Sequence, residues 1–367
     1  MKEIQEIIAA LKQIKRTTNK AALATLVKVE GSTYRRPGAR MLISANGVIA
    51  GAISGGCLES DVVEKAQEVM DTGKSRLVKY DTTSEEDVIW GLGLGCQGVA
   101  YVLIEPLLVD EPNSITFIHK CLEAQRWGAI ATVFGVEGDK AKLGEHLLLS
   151  SDTIVNSISD EKLAAQVLSD TQVALQHKTL AAQQYHLGST IKVFIEIIPP
   201  PLSLIICGAG YDVIPVVSFA KQLGWHVTIV DIRQREASRK RFQSADRVML
   251  NSPQEVLEIA ISERTVAVVM THNYLDDLEL LRVLLPSPLK YLGVLGPKKR
   301  TSRLLQELQQ EGLAPTPQQH LYSPVGLDIG ADNAEEIALA IITEIQAVIV
   351  QRHGGFLRDR AAPIHDK

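Results

Sequence analysis

The chain of 367 residues is poor in sulfur and in rings: four cysteines, five methionines and 5% aromatic residues. Cys57, Cys96, Cys121 and Cys207 form neither a C-x-x-C pair nor the density of a disulfide scaffold, so free thiols in a reducing cytoplasm are expected. Long apolar runs are missing too. The most apolar late stretch, "IALAIITEIQAVIV", carries Thr343, Glu344 and Gln346 and is too short to span a bilayer. The opening "MKEIQEIIAALKQIKR" mixes acids and bases at helical spacing, which excludes reading it as a signal peptide. A formal net charge of −5 gives no electrostatic case for nucleic acid, and no basic block suggests a membrane surface. No H-E-x-x-H metal helix and no G-x-S-x-G nucleophile elbow appears, which removes those metalloprotease and hydrolase patterns.

What is present is an ordinary globular composition, 46% hydrophobic and 22% charged, on a chain too long for one core. The expected divisions are an N-terminal α/β domain over 1–110, a middle segment over 111–198 packing with it, a Rossmann-like domain over 199–351 and a tail over 352–367. Ile4, Ile7, Ile8, Leu11 and Ile14 mark one face of a first helix. A strand in "AALATLVKVEG" and a hairpin around Asn46-Gly47 follow. Leu58, Val62, Ala66, Val69 and Met70 then form a second helical stripe closed by Gly73. Residues 111–190 offer a helix at Asn113–Gln125, a strand in "GAIATVFGV" and no chemical motif, and read as structural filler or a peripheral subdomain.

Pro199, Pro200 and Pro201 bias the backbone to an extended linker and mark the clearest boundary. Beyond them the apolar runs "LSLIIC", "HVTIVDI", "TVAVVMT" and "YLGVLG" alternate with helical patterns at Val213–Leu223, Leu275–Leu285, Arg300–Glu311 and Asn333–Val350. Such alternation predicts a parallel sheet covered on both faces. In "LSLIICGAGYDVIP", Gly208 and Gly210 sit between a strand and a helix, with Asp231 at the end of the next strand. This suits a Rossmann unit, although Val213 replaces the third glycine of the fingerprint. His272 and the run Lys298, Lys299, Arg300 fall at further strand ends, where ligands of open α/β sheets lie. Three cations opening a helix oppose its macrodipole, a conflict that a bound phosphate would remove. A solvated basic turn and a structural histidine are the alternatives.

"GAISGGCLES" places Cys57 among glycines at the mouth of a helix, where unpaired N–H groups favour an anion. A thiolate so placed serves as a nucleophile or a soft ligand. Cys96 stands in a second glycine-rich loop, "GLGLGCQG", and Arg35, Arg36 and Arg40 offer cationic contacts to an anionic ligand. The other reading is that the glycines are turns and both cysteines are fillers.

"EGSTYRRPGARMLIS", "GAISGGCLES" and "GLGCQG" resemble the N-terminal motifs of the XdhC/CoxI family, and "VFIEIIPPPLSLIICGAGYDVIPVVSFAKQLGWHVTIVDIR", "YLGVLGPKKR" and "SPVGLDIGADNAEEIALAI" resemble its Rossmann domain. Departures from the common pattern are Tyr211, Gln97 and Asn333-Ala334. The resemblance implies an accessory factor that binds molybdenum cofactor, protects it during sulfuration and assists its insertion into a xanthine dehydrogenase-type molybdenum hydroxylase. It implies cofactor contacts from Arg36, Arg40, Ser54, Gly55, Gly56, Cys57 and Cys96. Gly208, Gly210, Asp231, His272, Lys298 and Arg300 are the expected nucleotide site, for NAD(P). A molybdenum hydroxylase client, a cysteine desulfurase and a second copy of the chain are the expected partners, with no nucleic acid and no membrane. A non-catalytic chaperone is the leading expectation; an NAD(P)-dependent oxidoreductase using His272, and an interaction module binding neither ligand, are the alternatives.

Overall fold

A computed structural model describes residues 1–17, 20–81, 98–108, 112–250, 252–313, 320–362 and 364. These divide into one unit of residues 3–200 and another of residues 1–2 with 201–367. The change from one to the other falls within the Pro199–Pro201 run.

The N-terminal unit is built on two five-stranded sheets, antiparallel throughout. Strands β1 (Lys20–Gly31), β2 (Arg40–Ser44), β3 (Gly47–Gly51), β4 (Arg76–Asp81) and β5 (Gly98–Leu108) form the first, in the order β3-β2-β1-β5-β4. β2 and β3 make the expected hairpin, with Ser44 opposite Gly47. Strands β6 (Gly128–Val136), β7 (His146–Ser150), β8 (Ile154–Asn156), β9 (Ala181–His186) and β10 (Thr190–Ile198) form the second, in the order β8-β7-β6-β10-β9. The stretch read as filler is therefore most of a complete sheet.

Each sheet is covered on both faces, which is why β1 is buried without interruption from Ala21 to Val27. Helix α2 (Glu59–Thr72) covers one face of the first sheet through Val62, Ala66, Val69 and Met70. It ends on Gly73 at φ +67°, the left-handed cap that its sequence predicts. Helix α4 (Glu161–His177) covers the second sheet in the same way. The remaining faces share a core with helices α1 (Lys2–Thr17) and α3 (Ser114–Glu123), and Val27, Leu103, Phe134 and Phe194 join the two sheets. Charge is buried there as well. Glu105 of β5 and His146 of β7 are 2.7 Å apart, with Thr132 bonded to the other imidazole nitrogen at 3.1 Å.

The C-terminal unit is a parallel six-stranded sheet. Its strands are β11 (Ser203–Cys207), β12 (His226–Val230), β13 (Arg247–Met249), β14 (Thr265–Val269), β15 (Leu292–Val294) and β16 (Leu321–Tyr322). Spatial order β13-β12-β11-β14-β15-β16 is the 3-2-1-4-5-6 order of a Rossmann sheet, with its switch point between β11 and β14. Alternate residues of β11 serve the two faces. Leu204 and Ile206 pack with α5 (Val213–Gln222) and α9 (Ala334–Ile349), whereas Ile205 and Cys207 pack with α7 (Tyr274–Leu284) and α8 (Lys298–Gln310). A short α6 (Ala237–Arg241) follows β12.

Candidate functional site

In the N-terminal unit, the turn from β3 into α2 carries Ser54, Gly55, Gly56 and Cys57. Its organiser is Glu59, the first residue of α2. The Glu59 carboxylate accepts from the amides of Ser54 at 2.9 Å, Leu58 at 3.1 Å and Ile53 at 3.3 Å, and from the Ser54 hydroxyl. Ser54 Oγ in turn accepts from the amides of Gly56 and Leu58, and Cys57 Sγ lies 3.4 Å from it. Burial pushes the Glu59 carboxyl up, but the bonds from Ser54 and the loop amides outweigh it and hold it below the usual carboxylate range. The anion expected at this helix mouth is thus supplied by the chain itself, as Glu59.

Cys57 is partly exposed on the wall of a recess of about 40 Å³, which Leu26, Thr33, Tyr34, Arg35 and Ile53 also line. Tyr34 is 69% exposed above it. At the rim, Gly98 permits a close backbone approach, since a Cβ there would overlap the Ser32 carbonyl oxygen. Cys121 and Cys207 differ from Cys57: burial pushes their thiols up to about 11 and about 12. Cys57 is the one free cysteine among the described residues that is not buried. Cys96 and its loop lie outside the described residues.

The arginines divide. Arg35 pairs with Glu3 of α1. Arg40 is 6% exposed, paired with Glu196 of β10, and donates to the Gly38 carbonyl at 2.9 Å. Its guanidinium joins the two sheets and faces no solvent. Arg36 is exposed and makes no ion pair with any described residue.

In the C-terminal unit, the carboxyl ends of β11 and β14 meet at Gly208. With φ +139°, and with the Met270 carbonyl where a Cβ would stand, only glycine fits there. Beside it, His272 Nε2 lies 2.7 Å from Asp212 Oδ2, across 60 positions of chain. His272 has φ +60°, an uncommon conformation for a side-chain-bearing residue. Asp231 is 2% exposed and bonded to Arg235, to Ser238 and to the Arg233 amide. Burial pushes its carboxyl up, but those bonds and the Arg235 charge outweigh it, and the net position is below the usual range. Arg300 pairs with Asp277, which is also bonded by Thr271. Burial holds the Asp277 carboxyl above its usual range despite these partners. Lys298 and Lys299 remain exposed at the start of α8. A recess of about 300 Å³ lined by Leu285, Pro286, Lys290 and His320 shares no residue with this strand-end set.

Residues 15–81 match the XdhC and CoxI family, and residues 204–345 match the XdhC Rossmann domain. A relative from Bacillus subtilis (strain 168), named as a probable xanthine dehydrogenase subunit, is 33% identical over 326 residues, covering 89% of this chain and 92% of that one. The chain belongs to the XdhC and CoxI family. Molybdenum cofactor insertion chaperone PaoD of Escherichia coli (strain K12) is 23% identical over 329 residues, 89% of this chain and 83% of that one. The crystal structure of a xanthine dehydrogenase from Bacillus halodurans is similar with a TM-score of 0.76 at 31% identity, over 97% of this chain and 98% of that one.

In this XdhC/CoxI-family protein the structure therefore brings Ser54, Gly55, Gly56 and Cys57 into one loop, and Gly208, Gly210 and His272 to one sheet edge. It gives Arg40, Asp231 and Arg300 buried or half-buried partners within the chain. Sequence reasoning missed Glu59, Tyr34 and Asp212. An acid in the first turn of a helix, five residues after a serine, was a usable signal for Glu59. Nothing local pointed to Asp212.

Proposed function

We propose that the protein is a molybdenum cofactor-binding accessory factor that holds the cofactor and assists its sulfuration and insertion into a xanthine dehydrogenase-type molybdenum hydroxylase. The observation that carries this reading is Cys57, held in an open recess by the Ser54–Glu59 lock. Such a recess has space for about three water-sized groups, so it admits the sulfur-bearing tip of the cargo and not its pterin. The cargo supplies a soft, sulfur-ligated metal and a phosphate. Cys57 would face the former, and the guanidinium of the exposed Arg36 would contact the latter. Similarity to a relative named as a molybdenum cofactor insertion chaperone supports the same reading. A cysteine desulfurase as sulfur source, a second copy of the chain as partner and a cytoplasmic setting complete it. Among the described residues no helix is long and apolar enough to cross a membrane.

The Asp212–His272 pair favours a second reading. An exposed imidazole braced by a carboxylate at the switch point of a Rossmann sheet is a serviceable acid–base group beside a nicotinamide nucleotide, which would make the protein an NAD(P)-dependent oxidoreductase. Native mass spectrometry with added molybdenum cofactor, on the wild type and Cys57→Ala, separates the two. Stoichiometric uptake that Cys57→Ala loses, with an unchanged melting temperature, is the expected result. A wild type that takes up no cofactor and co-purifies with a nicotinamide nucleotide overturns the first reading in favour of the second.

A further inference from the structure

A Rossmann acid that receives ribose hydroxyls must present open carboxylate oxygens at its strand end. Asp231 presents none. Its Oδ1 accepts from the Arg233 amide and Arg235 Nη2, each at 3.2 Å, and its Oδ2 accepts from Arg235 Nε at 3.0 Å and Ser238 Oγ at 2.6 Å. Four donors meet the roughly four lone-pair sites that a carboxylate offers. A free ribose diol would find no acceptor here without breaking a buried, charge-assisted pair.

The same contacts leave a cation facing outward. Arg235 spends Nε and Nη2 on Asp231, yet its side chain is 47% exposed, and its Nη1 makes no hydrogen bond to any described residue. Over Arg233–Arg241 five cations stand against one acid, Glu236. Three of the other four are engaged elsewhere: Arg233 with Asp276, Arg239 with Glu236 and the Val248 carbonyl, and Arg241 with the Ala209 carbonyl while lying 4.3 Å over the Tyr211 ring. Arg235 is left at the position where a ribose-borne phosphate arrives in a Rossmann unit.

Resting on the nucleotide reading of this sheet edge, we infer that the C-terminal unit selects a nucleotide carrying a phosphate on its adenine ribose, with Arg235 receiving that phosphate, and discriminates against the free diol. Arginine suits the task because it stays charged and forms directed, charge-assisted bonds to phosphate while one edge of its guanidinium holds Asp231.

Titration calorimetry on the full chain with adenosine 2′,5′-bisphosphate and with 5′-AMP isolates this point, because the two probes differ only at the ribose. The bisphosphate is expected to bind roughly tenfold tighter or more, the scale of one charge-assisted bond, with the gap narrowing as salt is added. Arg235→Gln is expected to close the gap and Arg235→Lys to keep part of it. Thermal melts of both variants report whether Asp231 still holds its turn, and the wild-type comparison stands without either. Equal binding of the two probes, or a gap that survives Arg235→Gln, overturns the inference and leaves nucleotide binding standing. Binding of neither probe overturns the nucleotide reading itself.

Discussion

The two units keep their charges in opposite parts of a sheet. The N-terminal unit buries Arg40, Glu105 and Glu196, with His146 half-buried beside them, between two antiparallel sheets, whereas the C-terminal unit gathers Asp212, Asp231, His272 and Arg300 at strand ends. A parallel sheet wrapped by helices leaves only its ends open to polar groups. Antiparallel sheets that share an inner core accept polar residues on their faces, provided each finds a partner. In both units, charges that look like ligand contacts are consumed internally. Arg40 and Asp231 are the two examples, while Arg36 and Cys57 in one unit and Arg235, His272 and Lys298 in the other keep exposed or partly exposed side chains.

The contrast breaks most sharply at Glu196. Glu196→Ala leaves the Arg40 guanidinium buried without a counter-charge and is expected to cost about 3–5 kcal/mol. Urea unfolding, with hydrogen exchange confined to peptides of the N-terminal unit, measures it. The double variant Arg40→Met with Glu196→Leu is expected to recover most of that loss. A single-variant cost below about 1 kcal/mol, the scale of an exposed pair, would show that the pair does not join the sheets. Next in size is Gly208→Ala, where backbone conformation alone costs about 1–3 kcal/mol and the overlap with Met270 adds to it. Here the loss of exchange protection belongs to the C-terminal unit.

A smaller effect sharpens the reading of the cysteine loop. Glu59→Gln removes the charge from the acceptor of three amides and a hydroxyl, at about 1–2 kcal/mol. Cys57 is then expected to react several-fold faster with a thiol reagent, and an unchanged rate would detach Glu59 from the control of Cys57.

The smallest effect is a difference in sign. Burial pushes the His146 imidazolium down, but the charge and hydrogen bond of Glu105 outweigh burial and Arg40, Glu196 assists, and the net is upward. Its stabilising contribution is complete below the unfolded value of about 6.5 and is lost as pH rises through the raised one. At His226 burial pushes the imidazolium down, Lys221 and Arg247 add to it, and Asp246 only partly opposes them. That contribution is complete above about 6.5 and is lost as pH falls through and below it. Protection of peptides from β7 and β12, corrected for intrinsic exchange, should therefore slope oppositely with pH near neutrality. His146→Gln should flatten the β7 slope, and parallel slopes would refute the assignment.

Much of the C-terminal unit was legible beforehand. Residues 203–207 and 265–269 are buried without exception, so beyond Ser203 and Thr265 their strands read as unbroken apolar runs. Asn333 accepts from the Glu336 amide at 2.9 Å, the cap that its spacing predicts. β13 and β16 escaped because three and two residues carry too little pattern. In the N-terminal unit, β9 escaped because all but one of its residues are half-buried or exposed, which leaves no apolar face to read. The glycine loop and its cysteine were visible as a stretch of sequence, and so was the strand–turn–helix of Gly208.

Local order in the chain determined where strands, helices and turns form, because those patterns repeat over two to four residues. The partners of the charges were decided by the fold alone. Arg40 meets Glu196 across 156 positions and His272 meets Asp212 across 60, separations at which spacing carries no information. Burial makes an unpaired charge at Arg40 or Asp231 too costly to keep, so whichever group the folded chain brings near becomes its partner. That choice paired Arg40 and Asp231 inside the fold and left Cys57 partly exposed.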